Sequence, residues 1–294
     1  MTETAPSWFT EALDVKKTEH RISVEGASVY YQKWGDDKKP GIVLVHGSGS
    51  HSHWWDFIAP QLIKNFQVSA LDLSGMGDSD RRDSYEASQF GREIISVAND
   101  SGFFDSRPMA PVICGHSLGG YMSTFAAHQS RDPIKGVVMI DSPIRPPDYD
   151  YSTHKRSGPI RKIKTYPDKE SILNRFRLTP EQECKNQYIL DYIAKWSIKE
   201  SNGGFEWKFD DSLFDKLGFK HMTRSIAFDL NCKLGILYGT KSSMFSEDIL
   251  NYIESRVRPK TRIVPIEGAA HHIPLDQPLK LTEEILRMID KWED

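Results

Sequence analysis

The sequence of 294 residues has few cysteines and no long hydrophobic run. Its three cysteines, at positions 114, 184 and 232, are an odd number without C-x-x-C spacing, so they do not indicate a disulfide framework or a zinc site. No apolar run approaches the roughly 20 residues of a membrane-spanning helix. Residues 1–6 have neither a basic start nor an apolar centre and do not resemble a secretory signal. We therefore expect a reduced, soluble, cytoplasmic protein without a membrane span.

An excess of charge of either sign is also missing. The sequence has 38 Lys and Arg against 41 Asp and Glu, which gives a formal net charge of −3. A nearly balanced charge does not favour nucleic acid or an anionic membrane as the main partner. The expected partner is a small-molecule substrate, and the oligomeric state stays open. At this length the chain can bury one large α/β domain, or one domain with an inserted subdomain.

One stretch organises the rest of the chain. A short apolar run at residues 112–114 continues into Gly115-His116-Ser117-Leu118-Gly119, and a helical pattern follows at residues 121–129. A strand, a sharp turn and a helix form the context in which G-x-S-x-G predicts a nucleophile elbow. The two glycines let the backbone pass close to itself in a strained turn that a Cβ would obstruct. The start of the helix offers free N–H groups to an oxyanion beside Ser117.

Other strands of the buried type flank this elbow. They are near-continuous apolar runs, at residues 42–45, 68–72, 134–140, 234–239 and 261–266. Helical patterns separate most of them, and this alternation predicts a mostly parallel sheet with helices on both faces.

The sheet pattern is interrupted after Asp141. A proline-led segment follows, and no strand of the buried type is predicted before residue 229. We therefore predict a core domain made of residues 1–142 and 229–294, with a helical cap inserted at 143–228. Within the cap, residues 154–164 carry five Lys or Arg and no acid. This run is interpreted as a solvated face, with a patch for an anionic substrate as the alternative.

A serine nucleophile needs a base to take its proton. Two histidines, His271 and His272, follow the last predicted strand in a loop of small residues. The loop lies at the carboxyl end of its strand, so it shares an edge of the sheet with the elbow. His271 is the predicted base and His272 the weaker alternative.

Four motifs, in this order, resemble the α/β-hydrolase superfamily. They are His46-Gly47-Ser48-Gly49, Asp72-x-x-Gly75-x-Gly77-x-Ser79, Gly115-x-Ser117-x-Gly119, and Gly268-x-x-His271 with Asp276-Gln277-Pro278. The resemblance covers the sheet from residue 20 to the C terminus, except the cap. It implies the Ser-dependent, esterase-like branch, because dehalogenases and epoxide hydrolases carry Asp at the position of Ser117.

The same resemblance implies an oxyanion hole. It would be formed by the backbone N–H of Leu118 and an N–H of the loop that contains Gly47, with that of Ser48 as the expected donor. Trp54 is a candidate for lining the substrate pocket. No cofactor and no metal ion are expected, since His51-Ser52-His53 lacks the partners of a metal site.

The acid of the triad departs from the family pattern. Relatives usually carry it after the next-to-last strand, where this chain has Ser242. Some members place the acid one strand earlier, and Asp141 stands at that position here. Asp141 is the predicted acid, with Glu247 or Asp248 as the alternatives and the lack of any acid as a third.

Together these residues predict a serine hydrolase that cleaves a small-molecule carboxylic ester through a Ser-His-Asp triad. One alternative is a hydrolase that cleaves a carbon–carbon bond of a diketone, because His46-Gly47-Ser48-Gly49 resembles the loop of those enzymes too. The other alternative is a non-catalytic, ligand-binding member of the fold.

Overall fold

The computed structural model describes residues 4–105, 107–150, 165–217 and 224–292. The basic run at 154–164 and the patch proposed for it therefore lie outside the described residues. The described strands are β1 (Lys17–Val24), β2 (Ala27–Trp34), β3 (Gly41–Val45), β4 (Gln67–Leu71), β5 (Val112–His116), β6 (Gly136–Ile140), β7 (Ile198–Ser201), β8 (Gly204–Trp207), β9 (Lys233–Gly239) and β10 (Arg262–Ile266).

Helices connect most of these strands. They are α1 (Ser7–Leu13), α2 (Ala59–Leu62), α3 (Ala87–Asp100), α4 (Leu118–Gln129), α5 (Lys169–Leu173), α6 (Gln187–Trp196), α7 (Leu213–Lys216), α8 (Glu247–Arg256), α9 (Ile273–Asp276) and α10 (Pro278–Asp290), with 3₁₀ helices at Ser52–Trp55 and Arg224–Phe228. No helix in the described ranges combines the length and the apolar character needed to cross a membrane.

Eight of the strands form one sheet, in the order β1-β2-β4-β3-β5-β6-β9-β10. β2 runs antiparallel to both of its neighbours, and all pairs from β4 to β10 are parallel. Every residue of β3 to β6 is buried, as expected of apolar strands covered on both faces. The prediction of a mostly parallel sheet flanked by helices is confirmed.

Alternate residues of the central strands face two different layers. Ile42 and Leu44 of β3 belong to an apolar cluster with residues of α2 and α10. Val43 and Val45 of the same strand belong to a second cluster, with residues of α3 and α4. The period of two places these pairs on opposite faces of the sheet. Helices therefore shield both faces of the sheet.

The segment between β6 and β9 also contains a hairpin, which the sequence analysis did not predict. β7 pairs with β8 from Ile198↔Trp207 to Ser201↔Gly204. Asn202-Gly203 forms the tip, with Gly203 at φ +96°, and Asn-Gly between two strands is a strong hairpin signal. The inserted segment is therefore not purely helical.

The insertion contacts loops that follow three strands of the sheet. The Asp210 N–H donates to Gly75 O after β4 (2.7 Å). The Ser197 hydroxyl accepts from His51 Nε2 after β3 (2.9 Å), and Gln182 Oε1 accepts from the backbone N–H of His272 after β10 (2.9 Å). The insertion is thus anchored at the edge of the sheet where these parallel strands end.

Candidate active site

Ser117 lies in the turn between β5 and α4. Its backbone has φ 53° and ψ −119°, a left-handed conformation that non-glycine residues rarely adopt. The Ser117 N–H donates to Ile140 O (2.9 Å), and its carbonyl accepts from the Ser142 hydroxyl (2.7 Å). Strained backbone of this kind persists only where neighbouring groups determine it, and it concentrates at functional sites. The Ser117 side chain is half-buried.

The two glycines of the turn are needed because backbone passes close to both. A Cβ at Gly115 would lie 2.2 Å from Gly119 O. A Cβ at Gly119 would lie 2.5 Å from Val45 O at the end of β3. Only glycine leaves room for these approaches, which bring the loop after β3 against the start of α4. In that loop, a Cβ at Gly47 would lie 3.3 Å from the Cβ of Ser117.

His271 lies between Ser117 and Asp141. Its Nε2 accepts from the Ser117 hydroxyl over 3.1 Å, and its Nδ1–H donates to Asp141 Oδ2 over 2.7 Å. The loop that carries it is held by two contacts: His116 Nε2 donates to His271 O (2.9 Å), and Asp276 Oδ2 accepts from the Ala270 N–H (2.8 Å). The ring therefore has a defined tautomer, with its free lone pair directed at the serine.

Asp141 is fully buried at the end of β6. Its Oδ1 accepts from the Gly239 N–H (2.9 Å) and its Oδ2 from the Ser242 hydroxyl (2.6 Å). With the imidazole of His271, the carboxylate has three donors. Buried carboxylates require such donors, because removal from water strongly disfavours an unpaired charge.

The other candidates for base and acid lie elsewhere. Glu247 and Asp248 are exposed in the first turn of α8. The Nε2–H of His272 donates to Pro180 O (3.1 Å), and burial, together with the neighbouring His271, lowers the pKa of His272 to about 3. The structure therefore brings Ser117, His271 and Asp141 into one hydrogen-bonded chain and leaves the three alternatives out of it.

The residues predicted for the oxyanion hole belong to the start of α4 and to the loop after β3. Leu118 is the first residue of α4, so its N–H has no acceptor in its own helix. Ser48 is half-buried in the loop after β3, where the Gly49 N–H donates to Met76 Sδ (3.3 Å). Trp54 is buried, with its ring centroid 5.5 Å from that of His272. Trp54 therefore packs against the loop that carries His271 and His272.

Sequence reasoning missed three supporting residues. They are Ser142, which holds the elbow carbonyl, His116, which holds the histidine loop, and Ser242, which donates to Asp141. The substitution of Ser242 for the usual acid was visible in the sequence, and a hydroxyl at that position was the available signal. The contacts of the other two depend on strand neighbours that only the fold reveals.

The fold is that of an α/β-hydrolase. A sequence model described as "Alpha/beta hydrolase family" matches residues 42–284. The protein belongs to this family and is a hydrolase.

Two curated relatives illustrate how low the sequence identity is. The (lyso)-N-acylphosphatidylethanolamine lipase of Bos taurus is 23% identical, over 86% of this chain and 81% of the lipase. The uncharacterized hydrolase YugF of Bacillus subtilis is 23% identical, over 92% of this chain and 97% of the YugF sequence. Among solved structures, E-2-(acetamidomethylene)succinate hydrolase superposes with a TM-score of 0.76 at 20% identity, over 94% of this chain and 100% of that one. This last likeness concerns the fold alone.

Proposed function

We propose that this hydrolase cleaves a small-molecule carboxylic ester through an acyl-enzyme. Ser117 is the nucleophile, His271 the general base and Asp141 the acid of the triad. The observation that carries the proposal is the unbroken chain of hydrogen bonds from Asp141 through His271 to the Ser117 hydroxyl.

Each of the three residues in this chain of hydrogen bonds has its own role in the proposed reaction. Ser117 Oγ attacks the ester carbonyl carbon while its proton passes to His271 Nε2. The imidazolium so formed is stabilised by the carboxylate of Asp141, 2.7 Å from Nδ1. The imidazolium then donates this proton to the alcohol oxygen of the ester as the bond between that oxygen and the carbonyl carbon breaks. The alcohol leaves, and the acyl group stays on Ser117. A water molecule then attacks the acyl-enzyme by the same route, which releases the acid and restores Ser117.

The negative charge on the carbonyl oxygen needs donors during this reaction. The backbone N–H groups of Leu118 and Ser48 are proposed for that role, and the N terminus of α4 adds a favourable dipole. Removing one such donor from a serine hydrolase costs about 10²–10³ in kcat.

The insertion is proposed to act as the cap over this site, with the boundaries 143–228. Its contacts with the loops after β3, β4 and β10 support that role. Leu213 and Leu217 of the insertion share an apolar cluster with Leu118, and Ile189 shares another with Trp54. Apolar side chains of the insertion therefore belong to the same clusters as Leu118 and Trp54, which favours a neutral acyl group over a highly charged one.

A fluorophosphonate probe and chromogenic esters test the proposal. The wild type should be labelled and should hydrolyse p-nitrophenyl acetate or butyrate, and Ser117→Ala should lose labelling and at least about 10⁴-fold in kcat. Equal labelling of both proteins would overturn the assignment of the nucleophile. Turnover of a diketone without turnover of any ester would mean that the enzyme cleaves a carbon–carbon bond instead of an ester bond. Failure to turn over esters, lactones and diketones, without labelling, would leave a ligand-binding role.

A further inference from the structure

Three histidine rings lie together next to Ser117. The ring centroid of His271 is 4.9 Å from that of His116 and 4.9 Å from that of His272. One ring nitrogen from each residue lies within 4.8 Å of one from each of the others. All three are buried, with exposed fractions of 1% for His116, 5% for His271 and 3% for His272. The catalytic proposal uses only one of the three.

Each ring donates from one nitrogen and keeps a lone pair on the other. His116 Nε2 donates to His271 O (2.9 Å), and His272 Nε2 donates to Pro180 O (3.1 Å). The Nδ1 atoms of both rings are buried, and neither has a hydrogen-bond partner in the described part of the chain. A buried polar atom without a partner costs about 1–3 kcal/mol. Two such atoms on neighbouring rings are therefore an arrangement that needs a reason.

This pattern matches the outer contacts of protein metal sites. A histidine that binds a metal almost always donates its other ring N–H to a carboxylate or a backbone carbonyl, which fixes the ring and raises its basicity. His271 donates to the carboxylate of Asp141, and the other two rings donate to carbonyls. All three rings therefore have the second partner that a metal ligand requires.

The ligand type selects the metal. Neutral imidazole suits Zn²⁺, Cu²⁺, Ni²⁺ and Co²⁺ rather than Mg²⁺ or Ca²⁺, which prefer oxygen. Burial keeps His116 and His272 neutral, because it lowers the pKa of both rings. Nitrogens around a tetrahedral Zn²⁺ lie about 3.4 Å apart, as follows from Zn–N bonds of about 2.0–2.1 Å. The three ring nitrogens lie at most 4.8 Å apart, so each pair would have to approach by up to about 1.4 Å to bind one Zn²⁺.

We propose that His116, His271 and His272 form an inhibitory site for a divalent transition-metal ion such as Zn²⁺. The inhibition rests on the proposed function, since the metal takes the lone pair of His271 that would otherwise accept the proton of Ser117. The buried carboxylate of Asp141 lies 2.7 Å from the opposite nitrogen of His271 and offsets the charge of the ion. Metal binding and base catalysis therefore exclude each other at one nitrogen.

Calorimetric titration of Zn²⁺ into chelator-treated protein tests the site without turnover. We expect one ion per chain in the wild type and in Ser117→Ala. His272→Gln should weaken binding more than about tenfold, because the loss of even an outer hydrogen-bond partner of a ligand costs about 10–100-fold in metal affinity. His128→Gln, which replaces an exposed histidine of α4, is the matched control and should bind like the wild type. The visible spectrum of the Co²⁺-loaded wild type should contain the intense bands of a tetrahedral site, which avoids any dependence on a variant that folds poorly.

The outcomes separate the two proposals. No stoichiometric binding, or equal binding by wild type and His272→Gln, would overturn the metal site whatever the enzyme hydrolyses. Binding with the expected loss in His272→Gln, but no turnover of any substrate, would support the site and count against the proposed function. Inhibition of ester turnover by Zn²⁺ that a chelator reverses, and that His272→Gln weakens in parallel with binding, would support both.

Discussion

Ser242 donates a hydrogen bond of 2.6 Å to the carboxylate of Asp141. Ser242 follows β9, at the position where the family resemblance puts the acid, and Asp141 ends the neighbouring strand β6. Since the carboxyl ends of parallel strands meet at one edge of the sheet, a carboxylate from either strand reaches the same space. In this chain the carboxylate beside His271 comes from the end of β6, and the residue at the usual position of the acid donates to it.

The first prediction concerns the identity of the acid. Asp141→Asn should lower kcat about 10⁴-fold, because the amide favours the wrong imidazole tautomer and removes the charge that stabilises the imidazolium. The size is taken by analogy with a serine protease in which the same change was made. Steady-state kinetics with a p-nitrophenyl ester measure it, and circular dichroism establishes that the variant folds.

Two matched controls accompany this variant. Glu247→Gln and Asp248→Asn remove the two exposed carboxylates in the first turn of α8 and should each stay within about tenfold of the wild type, since neither contacts the reacting groups. Near-normal turnover in Asp141→Asn, with collapse in either control, would move the acid to the loop after β9.

The second prediction concerns the hydrogen bond from Ser242 to Asp141. Ser242→Ala removes one donor to a buried carboxylate, and a hydrogen bond to a charged group contributes about 1.5–3 kcal/mol. We expect kcat to fall about tenfold, far less than in Asp141→Asn, because the Gly239 N–H and His271 still hold the carboxylate. Ser243→Ala, at an exposed neighbouring position, should leave kcat unchanged. An equal loss in both serine variants would contradict a specific role for Ser242.

Much of this site could be predicted because its signals are local. The elbow is a short motif whose glycines are required by approaches of 2.2 and 2.5 Å, and apolar runs identify the strands on either side. From the sequence, the acid could be Asp141, Glu247 or Asp248, or be missing altogether, because the choice depends on which strand lies beside β6. That neighbour, β9, comes after an insertion of some ninety residues, and no local pattern specifies such a pairing.

The hairpin in the insertion was missed for a different reason. Residues of β8 are half-buried and those of β7 are half-buried or exposed, so their sequence lacks the continuous apolar character that identified the sheet strands. Only Asn202-Gly203 marked the turn. The three contacts described between the insertion and the loops after β3, β4 and β10 pair residues 90 or more positions apart, such as His51 with Ser197. No local spacing in the sequence specifies such contacts.

The third prediction concerns the acid stability of the contact between insertion and core. Asp210 accepts from Tyr85 (2.8 Å) and Lys216 (3.0 Å). Burial opposes its ionisation, but hydrogen bonds from Ser212, Lys216 and Tyr85 outweigh that effect and lower its pKa from 3.8 to about 2. Because the folded state binds this proton more weakly than the unfolded state, the contribution to stability is present above about pH 4 and is lost as the pH falls toward 2.

Urea unfolding of the wild type and Asp210→Asn measures this contribution. The free energy of unfolding should be lower in the variant at pH 6, and the difference should narrow between pH 4 and pH 2.5. Asp248→Asn, at an exposed position of α8, should differ little from the wild type across the range. A difference for Asp210→Asn that does not change with pH would exclude an ionised carboxylate as its source.

The last prediction moves the acid to the other strand. Ser242 Oγ lies 2.6 Å from the oxygen of Asp141 that contacts His271, so an aspartate at 242 would bring its carboxylate close to the same imidazole nitrogen. In the double variant Asp141→Asn with Ser242→Asp, the amide at 141 can donate to the new carboxylate. We expect kcat to recover at least about tenfold over Asp141→Asn alone.

Ser242→Asp alone should instead be impaired, because two adjacent buried carboxylates repel each other and one of them takes up a proton. Kinetics of the three variants with one ester form a double-mutant cycle in which a strongly favourable interaction is expected. If the double variant is no faster than Asp141→Asn, the space beside His271 does not accept a carboxylate from β9, and the geometry around Asp141 is specific to β6.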